Sequence, residues 1–457
     1  MEPMSYKSLA IPPGRTCTPG STGMSEAPGA GTGKLRISSK LDPEHPLAPR
    51  APIARFYTAL VTGDLRSLQV LTERYHQDVN LVFEISKNQL EWQVKSQASY
   101  GLSGLWALEE RLELSTPLCL AACHGHSDCL RHLLRRGADP NLAPGGQGPL
   151  HQACLGGHSD CVELLLEYRA QPNARSEQGA APLHLCTSQD SLRCAKLLLM
   201  RGAAVELPSE AGGDTALHVA ARHRLCHHAR LYLRRRARVD ARNARQETAL
   251  GVLCGQAPAA GDRSLELFQL LLAHGADVEA RDEGWRRPLH RACGAANAEL
   301  VRLLLRRGAD ANAIDYDGVS PLGWALQAAA AHPERRPHRA VQLLLNHGSR
   351  KIWPPAFGKV LKSCAAVPEV IEVLFNSYSQ IPVSQEWAEA VPEEVFQHQP
   401  FYESLLGLAG TARSLQHLCR AAIRAHLGNK CHSLVPLLPV PAALRDFLLL
   451  EPQGVVL

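Results

Sequence analysis

A short motif recurs along the middle of the chain, and its spacing constrains the fold more than any other feature. Its copies begin at Thr116, Gly148, Ala181, Thr215, Thr248, Arg287 and Ser320, at intervals of 32, 33, 34, 33, 39 and 33 residues. Each copy continues to an apolar stretch and a turn, as in Leu-Leu-Arg-Arg-Gly-Ala-Asp at 304–310. Units of this length bury their apolar faces against the next unit, so the chain should stack into an elongated solenoid.

The residue types within each copy predict two helices separated by a tight turn. Proline follows the first motif residue in five of the copies, and in the first turn of a helix its missing N–H costs no hydrogen bond. Glycine stands at the predicted end of the second helix in most copies, as at Gly137, where a left-handed conformation suits it. Arg169 and Arg236 replace that glycine in two copies, at an expected cost of about 1 kcal/mol each.

The motif Thr-Pro-Leu-His, with its period near 33 residues, resembles the ankyrin repeat, a β-turn hairpin followed by two helices. We therefore predict an all-α fold, an ankyrin-repeat solenoid followed by a small helical module. The predicted divisions are a disordered segment 1–50, repeats over 51–350 (a degenerate one at 54–87, an insertion at 88–115 and seven clear ones from 116), a helical cap 351–410 and the module 411–457.

Composition excludes several classes of protein. Aromatic residues make up 5% of the chain, which argues against a β-sandwich, and a net charge of +5 is small for a nucleic-acid binder. No apolar run is long enough for a membrane helix, and residues 1–15 lack the apolar core of a signal peptide. The 14 cysteines then indicate reduced thiols, so we expect a cytoplasmic protein, with the nucleus as a further location.

Most cysteines and several histidines follow the repeat period, which favours packing over metal binding. Cys129, Cys161 and Cys194 are 32 and 33 residues apart, as expected for one position between helices. Four histidines share the last motif position, where an imidazole can hydrogen-bond neighbouring turns: His151, His184, His218 and His290. Cys123 and four further cysteines are assigned to the first helices and expected to be buried too. Without a zinc spacing or a nucleophile–base set, we expect no metal, no cofactor and no catalytic residue.

Arginines gather near the ends of the second helices, and two interpretations of them stay open. The groups are Arg131, Arg135 and Arg136; Arg234, Arg235 and Arg236; and Arg302, Arg306 and Arg307. Pairing with the negative ends of helix dipoles explains this placement and is favoured. A surface for an anionic partner is the alternative.

The last part of the chain carries an apolar stripe at helical spacing. Leu415, Cys419 and either Ala422 or Ile423 lie at i, i+4 and i+7 or i+8, on one face of a helix. So short a helix has little core of its own, which predicts docking into the groove of a partner. The prolines in the following segment 437–441 stiffen it and lower the cost of ordering it on binding. The alternative is that 414–423 is a core helix that only caps the solenoid.

These two segments resemble the SOCS box. Residues 414–423 match the elongin-C-binding BC box at every defined position, with a small residue, Leu, Cys and a final aliphatic residue in order. Leu-Pro-Val-Pro at 438–441 matches the cullin-5 box, and Phe447 stands where that family often has tyrosine. Ankyrin repeats followed by a SOCS box are the layout of the ankyrin repeat and SOCS box family, which the chain resembles over 54–457.

The resemblance implies a non-catalytic substrate receptor of a cullin-RING E3 ubiquitin ligase. Its partners would be elongin C, elongin B and cullin-5 with its RING-box protein, and its repeats would hold a protein target for ubiquitylation and proteasomal degradation. The implied elongin-binding residues are Ser414, Leu415, Leu418, Cys419, Ala422 and Ile423, and the implied cullin-binding residues are Leu438, Pro439, Val440 and Pro441. An ankyrin scaffold that binds partners without a ligase is the alternative.

Candidate target-binding residues follow from the expected architecture. Hairpin tips and inner helices line the concave face of an ankyrin solenoid. Tip residues of the types that dominate binding energy are Trp285, Arg286, Tyr316 and Arg245. Packing of Trp285 on a neighbouring hairpin is the alternative for that residue, and the insertion with its two tryptophans is a second candidate surface.

Overall fold

The computed structural model describes residues 35–38, 52–74, 76–96, 103–258, 263–381, 383, 387, 400–409 and 411–454. Within these residues the predicted ankyrin-repeat solenoid is confirmed. The helices of successive repeats are Pro52–Thr62 with Leu65–Arg74, Pro117–Cys123 with Ser127–Arg135, Pro149–Gly156 with Ser159–Glu167, the 3-10 helix Pro182–Leu185 with Leu192–Met200, Ala216–Arg222 with Cys226–Arg234, Ala249–Cys254 with Ser264–Ala273, Pro288–Gly294 with Ala298–Arg306, and Pro321–Ala331 with His338–Asn346.

The motif residues begin and end these helices as the sequence predicts. The Thr116 hydroxyl caps its helix by accepting a hydrogen bond from the N–H of Cys119 at 3.1 Å. Gly137 ends the second helix with φ of 87°, in the left-handed region. Arg169 and Arg236 adopt the same conformation, with φ of 65° and 64°. Each arginine therefore carries the backbone strain that glycine avoids.

One repeat departs from the pattern, since its first helix is only a 3-10 turn, Pro182–Leu185. The residues that follow offer the backbone other partners. The Ser188 hydroxyl accepts from the N–H of Ser191 at 3.3 Å, and the Ser191 hydroxyl donates to the carbonyl of Ser188 at 2.6 Å. Serines that bond locally in this way compete with helix formation.

The described residues of the insertion at 88–115 lie on two paired β-strands, which the all-α prediction did not include. Strands Phe83–Ser96 and Ser103–Ser115 pair antiparallel, with Phe83 opposite Ser115 and Trp92 opposite Trp106. Strand Leu35–Ser38 adds to the sheet parallel to the first of these. The rest of 1–50, predicted to be disordered, lies outside the described residues. Buried Phe83 packs against Phe56 and so joins the hairpin to the first repeat.

An apolar core runs along the solenoid without a break, and the cysteines at the repeat period belong to it. Cys129, Cys161 and Cys194 are fully buried, as predicted, and burial raises the pKa of Cys161 and Cys194 to about 12. The prediction of a buried thiol is wrong for Cys123, which is exposed. It is the last residue of its helix, at the edge of the turn.

Polar side chains connect neighbouring repeats. His151 accepts at Nδ1 from the N–H of Gly148 at 3.2 Å, and its Nε2 donates to the carbonyl of Ala174 at 3.1 Å. The other three motif histidines make the equivalent bonds, which confirms their predicted role. A second series of hydrogen bonds, which was not predicted, connects the turns of neighbouring repeats. The side-chain oxygen of Asn141 accepts from the N–H of Gln171 at 2.9 Å, and that of Asn173 accepts the equivalent bond from Ala204 in the next repeat.

Further helices follow the last repeat. They are Phe357–Cys364, Pro368–Ser377, Pro400–Leu406, Leu415–Leu427, Cys431–Leu434 and Ala442–Leu448, with 3-10 turns at Pro354–Ala356, Gly428–Lys430 and Val435–Leu437. A further 3-10 turn, Pro333–Arg335, lies between the two helices of the last repeat. None of the described helices has both the length and the apolar character needed to cross a membrane.

Candidate protein-binding site

The apolar stripe predicted near the C-terminus lies on the helix Leu415–Leu427, which we name the box helix. Ser414 is its N-cap, since its hydroxyl accepts from the N–H of His417 at 3.2 Å. Gly428 follows the last helical residue with φ of 58°. The helix is therefore delimited by its own sequence at both ends.

The box helix turns its apolar face towards solvent. Leu415 is 78% exposed, and Leu418, Cys419, Ala422 and Ile423 are exposed beside it. The predicted elongin-binding side chains are thus brought together on one open surface. A face of this composition at i, i+3, i+4, i+7 and i+8 is normally the buried side of a helix.

The opposite face of the box helix is polar and buried. His417 is 1% exposed and Arg420 is 4% exposed. His417 Nε2 donates to the carbonyl of Tyr378 at 2.7 Å, while its Nδ1 accepts from Arg413 at 2.6 Å and Arg420 at 2.8 Å. Burial, together with these two guanidinium groups, lowers the pKa of His417 to about 4, so the imidazole is neutral at pH 7.

Arg424, on the same buried face, joins the box helix to the last repeat. Its guanidinium donates to the Asn346 side-chain oxygen at 2.6 Å, to the carbonyl of Leu448 at 2.7 Å and to the carbonyl of Leu345 at 3.3 Å. The Asn346 amide in turn donates to the carbonyl of Leu449 at 2.8 Å. We call this set of contacts the Arg424 seam.

Ring contacts and one buried carboxylate complete the junction. The Arg420 guanidinium lies 4.1 Å from the ring centroid of Phe447, a cation–π arrangement. Glu372 is buried and accepts from the backbone N–H groups of Gln453 at 2.7 Å and Gly454 at 3.0 Å. Burial raises the pKa of the Glu372 carboxyl. The position of the box helix is therefore set by hydrogen bonds and charges on its inner side.

The predicted cullin-binding residues lie after this helix, beside a small core of Cys431, Val435 and Leu448. Leu438 packs on that core and is half-buried, as is Val440. Pro439 and Pro441 are exposed, and Pro441 immediately precedes the helix Ala442–Leu448. The segment is thus held by one leucine and presents its prolines to solvent.

Exposed apolar side chains are concentrated in this region. Of the large hydrophobic side chains that are exposed in the described part of the chain, six lie between residues 415 and 444: Leu415, Leu418, Ile423, Leu434, Leu437 and Leu444. Exposed apolar side chains concentrated in one region are typical of a site of protein interaction.

The candidate target-binding residues lie on neighbouring hairpin tips, which backbone hydrogen bonds connect. The N–H of Glu283 donates to the carbonyl of Arg245, and the N–H of Tyr316 to that of Gly284, both at 3.0 Å. Trp285 is 53% exposed and packs edge-on against Tyr316, as the packing alternative expects, while its contact with a target stays a prediction. Arg286 is half-buried and pairs with Asp282 at 3.1 Å.

Some arginines near the helix ends contact carbonyls and carboxylates of the preceding repeat. Arg235 donates to the carbonyl of Leu199 at 3.3 Å, at the end of the preceding second helix. Arg136 pairs with Glu73 at 3.2 Å. These contacts favour the interpretation that the clusters stabilise helix C-termini.

Comparison with known proteins agrees with this arrangement. The family model "Ankyrin repeats" matches residues 101–176, 118–209 and 256–352, and the model "SOCS box" matches 411–449. Ankyrin repeat and SOCS box protein 18 of Homo sapiens is 58% identical over 408 residues, which cover 89% of this chain and 88% of that protein. The chain belongs to the ankyrin repeat and SOCS box family.

Two other members of the ankyrin repeat and SOCS box family are similar over most of their length. Ankyrin repeat and SOCS box protein 16 of Homo sapiens is 38% identical, over 90% of this chain and 91% of that protein. Ankyrin repeat and SOCS box protein 10 of Homo sapiens is 46% identical, over 77% of each. The family predicted from the sequence is confirmed.

The inner face of the SOCS box is the part of the site that the sequence analysis missed. His417, Arg420 and Arg424 lie at i, i+3 and i+7, so they form a second stripe opposite the apolar one. That spacing was a usable signal. Their partners Asn346 and Tyr378 are distant in sequence and could not be read from the motif.

Proposed function

We propose that this chain is the substrate receptor of a cullin-5 E3 ubiquitin ligase. In this proposal the box helix binds elongin C, elongin B joins through elongin C, and the segment 438–441 contributes to binding cullin-5 and its RING-box protein. The observation that carries the proposal is the inverted orientation of the box helix. Unlike an ordinary packed helix, it buries its polar face and exposes the apolar side chains Leu415, Leu418 and Cys419. Membership of the SOCS box family supports the same partners.

The inverted orientation argues against a helix that only caps the solenoid. A capping helix gains its stability by burying apolar side chains, and full burial of one leucine contributes about 1.5–3 kcal/mol. Leu415 forgoes most of that gain in the isolated chain, because it is 78% exposed. A partner groove that buries this apolar face would supply the missing free energy of burial. The contacts of the Arg424 seam hold the box helix so that the face stays exposed to such a partner.

The segment 438–441 suits a second contact beside the first. Its two prolines have fixed φ angles, so less conformational entropy is lost when a partner binds them. Leu438 fixes the segment on the small core, and exposed Leu437 lies next to it. The two surfaces then bind different subunits of one ligase.

In this proposal the chain itself catalyses no reaction. The repeats would bind the target, and the recruited ligase would bring ubiquitin close to it. The contribution to rate would come from proximity and orientation. The target would then be ubiquitylated and degraded by the proteasome.

The test is binding of purified elongin B/C to the full chain and to Leu415→Glu. Glutamate in the first turn of a helix is compatible with the helix dipole, so the box helix should stay folded. We expect Leu415→Glu to weaken binding by at least about 100-fold, since an apolar contact is lost and a carboxylate is desolvated. The melting temperature should remain that of the unmodified chain.

Met200→Glu is the matched control, because Met200 is 70% exposed and lies on a helix of the solenoid. It should bind elongin B/C as the unmodified chain does. The proposal fails if the unmodified chain does not bind elongin B/C. It also fails if Leu415→Glu binds as tightly as Met200→Glu.

A further inference from the structure

One hairpin tip carries a tryptophan where the other tips have small or polar residues. The residue three positions before the first helix has a left-handed backbone in six repeats: Gly146, Gly179, Gly213, Gln246, Trp285 and Gly318, with φ between 58° and 76°. Glycine adopts this conformation without steric cost, whereas a bulky side chain rarely does. Trp285 therefore stands at a position that the backbone geometry disfavours for it.

The strain at Trp285 is not compensated by burial of its side chain. The side chain is 53% exposed, and the turn itself is closed by a bond from the N–H of Trp285 to the carbonyl of Asp282 at 2.9 Å, which glycine would make equally well. Glycine here would remove about 1 kcal/mol of strain. Strained residues at exposed positions are concentrated at binding sites, which suggests that the indole serves a surface role.

The surroundings of Trp285 have the composition of a binding hot spot. Tyr316 on the next tip is 77% exposed, and the two rings meet edge to face with centroids 6.5 Å apart. The Arg281 guanidinium lies 5.6 Å from the indole centroid. Ile314 is exposed on the same tip as Tyr316. Tryptophan, tyrosine and arginine are the residues that most often dominate interface energies.

The charge beside the indole is positive. Arg242 donates to the backbone carbonyl of Arg281 at 2.7 Å, so two exposed guanidinium groups lie at the same turn. In the described part of the chain neither forms an ion pair, whereas the neighbouring Arg286 and Arg291 are paired with Asp282. The exposed acidic residues of these tips are Glu283 and Asp317. Arg242 and Arg281 can therefore still form ion pairs with carboxylates of a partner, next to the apolar rings of Trp285 and Tyr316.

We propose that these tips bind an acidic segment of the target protein that carries one large apolar side chain. Trp285 and Tyr316 pack against the apolar side chain, while Arg242 and Arg281 pair with carboxylates next to it. The inference rests on the proposed function only in that the protein bound here is the one to be ubiquitylated.

The experiment measures direct binding of a fluorescent synthetic peptide to the purified full chain. The probe is a glutamate-rich peptide with one central tryptophan, and its two controls replace either the glutamates by lysine or the tryptophan by serine. We expect the probe to bind at least about tenfold more tightly than either control. Its affinity should fall as salt is added, since the guanidinium contacts are exposed.

Trp285→Gly separates a binding role from a structural one. We expect it to weaken probe binding by about tenfold or more while the melting temperature stays the same or rises, because the strain is removed. Trp353→Ala is the control, since this tryptophan is at least as exposed as Trp285 and lies outside the tips, and it should leave binding unchanged.

Two results overturn the inference. One is a probe that binds no more tightly than its lysine or serine control. The other is a Trp285→Gly chain that keeps full affinity or melts at a lower temperature. The assay contains no elongin, so its failure is distinguishable from failure of the ligase proposal, and the elongin measurement is independent of the tips.

Discussion

Arg424→Ala should release the box helix from the solenoid while the repeats stay folded. The guanidinium donates three hydrogen bonds, to the Asn346 side chain and to the carbonyls of Leu448 and Leu345. Hydrogen bonds from a charged donor contribute about 1.5–3 kcal/mol each in favourable cases. Burial opposes this gain, because it destabilises the charged form and lowers the pKa of Arg424. We therefore expect a net loss of about 3 kcal/mol, confined to the junction.

Hydrogen exchange measures this local loss directly. Since about 1.4 kcal/mol corresponds to a factor of ten, amides in Leu415–Leu427 and Ala442–Leu448 should exchange about 100-fold faster in Arg424→Ala. Amides of the central repeats should be unaffected. His426→Ala is the control, because His426 is exposed on the same helix. If box-helix amides in Arg424→Ala exchange within about threefold of those in His426→Ala, the Arg424 seam does not hold the helix.

Two further changes have predictable effects on stability. The pKa of His417 is about 4 in the folded chain and 6.5 ordinarily. The free energy that its neutral imidazole contributes to folding is therefore complete above pH 6.5. It is lost as the pH falls towards 4, by at most about 3 kcal/mol. Urea unfolding at pH 7 and pH 4.5 should show a smaller acid loss in His417→Gln, and an equal loss would contradict the assignment. Arg169→Gly and Arg236→Gly should each raise the free energy of unfolding by about 1 kcal/mol, whereas a decrease would show that the left-handed arginines are not strained.

The repeat fold could be predicted because its determinants are local. Each unit contains its own caps, turn residues and apolar positions, and it contacts mainly the next unit. The β-hairpin was not predicted because its strands lie largely in an insertion that does not follow the repeat period. Leu90, Trp92 and Val94 nevertheless show the two-residue alternation of a strand, as do Phe83 and Ile85 in the other phase, so a signal was present.

The candidate site could be predicted on one face only. The outer face of the box helix follows from a motif of ten residues, and its side chains do lie together on an exposed surface. Its inner face depends on Asn346, Glu372 and Tyr378, which are far away in sequence and become neighbours only when the last repeat and the cap have folded. No local pattern specifies such partners.

Alkylation of Cys419 tests the central proposal most directly. Cys419 lies on the exposed face of the box helix. Cys123 is exposed at the end of the helix Pro117–Cys123 in the solenoid, and it is an internal reference in the same molecule. The rate of iodoacetamide reaction at each thiol is measured by mass spectrometry, with and without saturating elongin B/C. We predict that elongin B/C slows alkylation of Cys419 by more than about tenfold and leaves that of Cys123 unchanged. An unchanged rate at Cys419 would contradict the proposal that this face binds elongin.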